Sequence, residues 1–434
     1  MLADADRLAD GRLTTVAMTM IGVLSGAFLI GPRTSPALLA MLALVPFAWV
    51  SLAELRYELE PVQVPFVLAL AFGAYLLVTV AWSADRIEAI GKVTLFLAFT
   101  GAVWVASAAA AITGERLLER LLGAVLIAVA IGLLYLTFEE LSEHSIKRLV
   151  FNVLPATRLP ERHMVVTDGT IEAVRAYTTN RNMAALSLAL WPALLAAQSV
   201  LAEAKGQIAA LCILAIAGLT ISLSQHDTSV AALTASLAFF ALARRWPKLA
   251  VGVVAAGWIA ATLLVVPIAS TAYRDASLHF ATWLPKTARQ RIILWGYTAE
   301  QVGKSPWLGV GIASTKTLDN RRTDISETPP GFVYPLRTGP HAHNIYLQTW
   351  YELGAIGALF LSALGLAVLR SIARVRAALM PYALASFVTA SVVGAFSWGM
   401  WQAWFMAAFG VAAVLTITSL ELAERRSGER LGAG

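Results

Sequence analysis

Residues 339–357 read GPHAHNIYLQTWYELGAIG, and an apolar run continues from there to residue 369. Gly339 and Pro340 keep the first part out of helix, because proline pushes the residue before it toward extended geometry. Asn344 then reads as the N-cap of a helix starting at Ile345. The run that follows is long enough to cross a bilayer, so the polar segment sits at the mouth of a membrane helix. In extended backbone, His341 and His343 project to the same side. A helix N-terminus attracts an anion and disfavours a charged imidazole. A neutral imidazole beside an anion site is what a general base requires.

The rest of the chain is of the same kind. Its 434 residues are 58% hydrophobic and only 14% charged, which predicts an all-α polytopic membrane protein. Cys212 is the sole cysteine, so an internal disulfide and a cysteine-based metal site are both excluded. The net charge of +6 reports membrane topology and not nucleic-acid binding. The start, Met1 to Arg12, is polar and of mixed charge, and it does not read as a cleavable signal.

Twelve spans are predicted, at about 13–30, 36–53, 64–82, 89–111, 117–138, 183–202, 207–223, 228–243, 248–268, 345–369, 378–397 and 400–420. They make one transmembrane domain over residues 1–434, with two long connections at 139–182 and 269–344. The short loops on one side carry fifteen lysines and arginines, against two, Arg33 and Arg86, on the other. Positive charge stays cytoplasmic, so both termini are expected inside and both long loops outside. The tail from Ser427 to Gly434 reads as frayed.

The second long loop is basic, with nine lysines and arginines against five acidic residues that include Asp324 and Glu327. On a side where positive charge is normally depleted, this points to an anionic partner. Thr287–Val302 reads as an amphipathic helix with Thr287 as N-cap and Ile292, Trp295, Ala299 and Val302 on one face. Arg289 and Arg291 diverge by about 200° on such a helix. Arg291 lies one turn before Trp295 and is expected against the packed face, with Arg289 solvated or near headgroups. The Gly309-Val310-Gly311 element lacks the third glycine and the strand of a nucleotide loop, and reads as a Pro/Gly turn packed by Trp307. His341 and His343 lack a third ligand of suitable spacing, so no metal site is expected.

Other polar positions are open to two readings. Asn180-Arg181-Asn182 is either an N-cap with an interfacial arginine or the rim of a cavity. Ser224-Gln225-His226-Asp227-Thr228 is either a turn capped by Asp227 or Thr228, or a second contributor to the chemistry through His226. Glu352, about 12 Å into its helix, is a functional or structural-network candidate. Trp350 and Tyr351 beside it read as an interfacial belt.

Four elements in order resemble the O-antigen ligase and polymerase superfamily of membrane glycosyltransferases: Gln290-Arg291 four residues before Trp295; Pro306-Trp307-Leu308-Gly309-Val310-Gly311; His343-Asn344-Ile345-Tyr346-Leu347-Gln348; and Glu352-Leu353-Gly354 with Gly357. Asn180-Arg181-Asn182 also looks like the family's Asn-rich helix start. The chain departs from the family where Ser-Arg-Gly is frequent and Ser224-Gln225-His226 stands here. The resemblance implies a GT-C-like enzyme of the bacterial inner membrane with a periplasmic site and no cofactor. It implies an undecaprenyl-diphosphate-linked O-antigen as donor and lipid A-core as acceptor. His343 would be the base, Arg291 would hold the diphosphate with Arg289, Arg181 and Arg274, and His341, Asn344 and His226 would complete the site. The alternatives are an O-antigen polymerase and a protein O-oligosaccharyltransferase, the latter disfavoured by the short C-terminus. A lipid-glycan flippase is a third. Against it stand mid-membrane runs that are nearly free of charge.

Overall fold

The computed structural model describes residues 11–59, 63–319, 321–322 and 334–432. Most of Met1–Arg12, Asp324, Glu327, Ala433 and Gly434 lie outside the described residues. The chain is helical throughout its apolar runs: α1 (Arg12–Ile30), α2 (Ser35–Leu44), α3 (Leu52–Leu59), α4 (Val64–Thr79), α5 (Arg86–Ile112), α6 (Glu115–Leu141), α7 (Ser145–Val153), α8 (Asn180–Val200), α9 (Glu203–Leu223), α10 (Asp227–Arg245), α11 (Pro247–Arg274), α12 (Lys286–Val302), α13 (Ile345–Ile372), α14 (Met380–Phe396) and α15 (Ala403–Gly432).

Every one of the twelve predicted spans coincides with a helix, but among the described residues only nine are long and apolar enough to cross a membrane. The other three differ for stated reasons. Pro32–Ala48 and Met380–Phe396 are short, and α10 carries a polar first turn and an Arg244-Arg245 end. The bundle exposes large apolar side chains along whole helix faces, such as Ile127, Ile131 and Leu134 on α6 and Ile208 and Leu211 on α9. Such faces suit a hydrocarbon solvent. The chain is a multi-pass membrane protein.

At the centre stands α8, buried nearly all round against α6, α9, α14 and α15. Its Trp191 stacks on Phe240 at 4.8 Å. Asn180-Arg181-Asn182 does not cap this helix, because Thr179 is the N-cap. The Asn182 amide instead donates to the carbonyls of Leu29 and Ile30, both at 2.7 Å, and so satisfies the open end of α1. At the opposite end of the bundle, Arg425 donates to the Thr113 and Ala111 carbonyls and Arg426 pairs with Glu115. The last helix runs to Gly432, past Ser427 where a frayed tail was expected.

The connection after α6 holds α7 and a hairpin of β1 (Met164–Thr167) and β2 (Thr170–Val174). The later connection holds α12, then β3 (Arg321–Arg322) paired with β4 (Leu336–Arg337). Asp319 fixes the approach to the histidine segment by pairing with Arg337 and accepting from the Gly339 amide at 3.0 Å.

The apolar run that opened the sequence reading is broken. Gly354 has φ 63° inside α13, which interrupts the helical ladder. The carbonyls and amides released there are paired across to the Pro306–Gly311 turn. Val310 N–H donates to the Tyr351 carbonyl at 3.1 Å and Gly311 N–H to the Glu352 carbonyl at 2.8 Å, while Ala355 N–H donates to the Pro306 carbonyl at 2.8 Å. The Tyr75 hydroxyl donates to the Leu353 carbonyl at 2.7 Å. The Gly-x-Gly element is thus a backbone lock. The Trp307 side chain does not pack it, being 73% exposed, and the contact is made by Trp307 main chain.

A Cβ on Gly309 or Gly354 would lie 2.3 Å from the Glu352 or Trp307 carbonyl carbon. Both residues also hold positive φ. Gly309→Ala and Gly354→Ala are each expected to lower stability by about 2 kcal/mol or more, read as a fall in detergent melting temperature. A melting temperature equal to that of the parent in both would mean the lock is not formed.

Candidate active site

Asn344 caps α13 as its chemistry dictates, its Oδ1 accepting from the Leu347 amide at 3.0 Å. His343, just before it, is not extended. Its φ of 54° lies in the left-handed region, where a side chain with a Cβ is strained. Two contacts hold it there. The Nδ1 atom lies 2.6 Å from the carbonyl of Ser397, in the turn between α14 and α15. The His341 ring lies alongside, with centroids 4.0 Å apart. The two imidazoles therefore share a side through the bend, not through the extended alternation expected.

A carbonyl can only accept, so Nδ1 of His343 carries the proton and the neutral ring has its lone pair on Nε2. Burial is the first cause that pushes the His343 pKa down to about 4. The Ser397 bond opposes this, and the Arg291 charge adds to it. His341 is pushed to about 3 by burial, by His343 and by Arg181.

Arg291 comes from α12, which runs as a regular helix from Lys286, one residue before the expected Thr287 and with Pro285 as N-cap. Trp295, one turn on, donates from Nε1 to the Ala342 carbonyl at 2.7 Å. This bond ties the arginine's helix to the backbone between the two histidines. Ala299 and Val302 are buried as expected, whereas Ile292 and Trp295 are half-buried. Arg291 is half-buried and loses some basicity through burial, partly restored by Asp227. Arg289 is half-buried too.

His226 joins the same group. It is itself the N-cap of α10, so neither Asp227 nor Thr228 caps that helix. Its ring stacks on Trp398 at 5.6 Å, and its Nδ1 lies 2.7 Å from the Ser229 hydroxyl. Burial, then Arg291, pushes its pKa to about 4. Arg181, with its guanidinium over the Trp404 ring at 5.7 Å, lies on the His341 side. Arg274 is turned to Glu300, with a nitrogen–oxygen distance of 2.7 Å. The fold thus gathers His343, His341, Asn344, Arg291, His226 and Arg181, and gives Arg274 a carboxylate of its own.

Sequence reasoning missed the 397–402 turn, which supplies the Ser397 carbonyl and Trp401. Its SWGMWQ composition, polar and aromatic between two apolar runs, was the available signal. The turn is anchored by Glu352, which is fully buried and accepts from the Ala313 amide at 2.9 Å, the Thr315 amide and hydroxyl, Gln348 Nε2 at 3.1 Å and Trp401 Nε1. Gln348 in turn accepts from the Met400 amide. Glu352 is therefore the enclosed hub of a structural network. Tyr351 is buried and Trp350 donates to the Thr262 carbonyl at 2.7 Å, so they pack inside and form no interfacial belt. Among the described residues no three His, Cys, Asp or Glu side chains are placed to hold a metal ion.

Residues 210–362 match the protein family described as O-antigen ligase. That segment contains His226, Arg291, His341, His343 and the Glu352–Gly354 lock. Three Rickettsia proteins carrying the name "Putative polysaccharide ligase" are also similar. The one from Rickettsia felis is 26% identical over 232 residues, 53% of this chain and 55% of its own. Those from Rickettsia conorii and Rickettsia typhi are 25% and 24% identical, over 53% of this chain and 55% and 56% of theirs. The chain spans about half the length of the curated relatives it matches. The O-antigen ligase assignment and the resemblance drawn from the motifs agree.

Proposed function

We propose that this O-antigen ligase-family protein transfers an O-antigen glycan from an undecaprenyl diphosphate to lipid A-core, on the periplasmic face of the inner membrane. The observation that supports this is His343, its Nδ1–H held by the Ser397 carbonyl, which leaves the lone pair on Nε2, with the Arg291 charge acting on the ring. Nε2 takes the proton of the acceptor hydroxyl as that oxygen bonds to the anomeric carbon. The bond from that carbon to the diphosphate oxygen breaks, and the electron pair leaves with the diphosphate. The Ser397 carbonyl steadies the imidazolium through Nδ1–H. Arg291 neutralises the leaving group, for which a planar guanidinium that can bond two oxygens is suited. The Asp227 carboxylate supplies a counter-charge to Arg291. Direct displacement inverts the anomeric centre.

Purified protein is to be incubated with a polyprenyl-diphosphate glycan and lipid A-core, without added metal or ATP. Transfer to lipid A-core is expected. Elongation of a second lipid-linked glycan would make the protein a polymerase, and translocation without transfer would make it a transporter. For orientation, reporter fusions at Arg162 and Arg322 are expected to report the periplasm and one at Arg374 the cytoplasm. A cytoplasmic signal at Arg322 would end the account.

A further inference from the structure

Three hydrogen bonds bring together residues that the proposed reaction leaves unused. The Asn182 amide bolts the start of α8 to the end of α1 through the Leu29 and Ile30 carbonyls, at 2.7 Å each. The buried Ser35 hydroxyl donates to the Trp404 carbonyl at 2.6 Å. Arg33 lies on the turn between α1 and α2, and Arg181 on the first turn of α8 with its guanidinium over the Trp404 ring. The two guanidinium charges act on each other, and Arg181 acts also on His341 and His163.

Among the described residues neither Arg33 nor Arg181 forms an ion pair. The buried Nδ1 of His341 has no hydrogen-bond partner there either. Holding two like charges together, one exposed at Arg33 and one half-buried at Arg181, is unfavourable until an anion completes the group. Arg291 belongs to a different group: it acts on His343 and His226 and has Asp227 as its counter-charge. The two arginine groups flank the paired imidazoles, whose rings are 4.0 Å apart.

We propose that Arg33 and Arg181 form a second anion subsite, separate from Arg291, for a phosphate group on the acceptor glycan. This rests on the ligase reading of the histidine site. Displacement at a carbon brings the nucleophile in opposite the leaving group. With the diphosphate on Arg291, the acceptor approaches from the His341 side, where this pair stands.

The test measures acceptor and donor KM for the parent and for Arg33→Gln, using lipid A-core before and after phosphatase treatment. Arg33 is exposed, so the substitution leaves packing alone. Phosphate removal is expected to raise the parent's acceptor KM by about tenfold, the scale of one charge-assisted bond. In Arg33→Gln, the acceptor KM is expected to rise similarly and to lose its sensitivity to phosphatase, with the donor KM unchanged. A shift in donor KM, an equal loss toward both acceptors, or no shift would overturn the assignment. Should the parent transfer to neither acceptor, the ligase reading fails, and equilibrium binding of soluble phosphorylated core oligosaccharide decides the subsite. Binding about tenfold weaker in Arg33→Gln supports it, and equal binding overturns it.

Discussion

Arg291→Ala is expected to lower transfer by roughly 10²–10³-fold, the cost of removing one group that stabilises developing negative charge. The regular helix from Lys286 to Val302 and the Trp295 bond to Ala342 aim Arg291 at the histidine site. The same helix carries Arg289 about 200° away, so Arg289→Ala is expected to keep a measurable rate. Arg291→Lys keeps the charge but loses the planar fork, and is expected to remain at least about tenfold below the parent. Single-turnover rates at saturating donor check all three. Equal and complete loss in Arg289→Ala and Arg291→Ala would contradict the helix-phase argument.

His343→Ala is expected to lower transfer by about 10²–10⁴-fold, the span of general-base catalysis. His341→Ala is expected to be milder, since it lacks the Ser397 bond that sets the tautomer. The pH profile follows from the charge environment. The active form is the neutral imidazole, and protonation removes it. Burial and Arg291 hold the His343 pKa at about 4. The acid limb of kcat/KM, which reports the free enzyme, therefore falls near pH 4, below the ordinary histidine range. A bound diphosphate favours the imidazolium, so the limb in kcat should lie higher. Residual activity in His343→Ala should lose the limb altogether.

Much of the fold was legible because membrane helices obey a simple rule of length and apolarity. The exceptions are physical. The run after Ile345 reads as continuous, yet Gly354 breaks it, because the Pro306–Gly311 backbone supplies the lost partners from far away in sequence. The site was legible where chemistry is local: Asn344 as a cap, the Arg291-to-Trp295 spacing, His343 beside the helix mouth. It was illegible where a backbone carbonyl acts, as at Ser397, since every residue has one. Asn182 and Arg274 were misplaced for a related reason. Their partners, the Leu29 and Ile30 carbonyls and Glu300, are set by packing between helices and not by spacing along one.

The most direct test is donor binding measured beside single-turnover transfer in His343→Ala. A base that acts through Nε2 leaves the diphosphate to Arg291. The variant should therefore fold, bind the polyprenyl-diphosphate glycan within about threefold of the parent, a difference below 1 kcal/mol, and fail to transfer it. Loss of donor binding as complete as the loss of turnover would make His343 a binding residue. Near-full turnover would place the base elsewhere, with His226 the next to test.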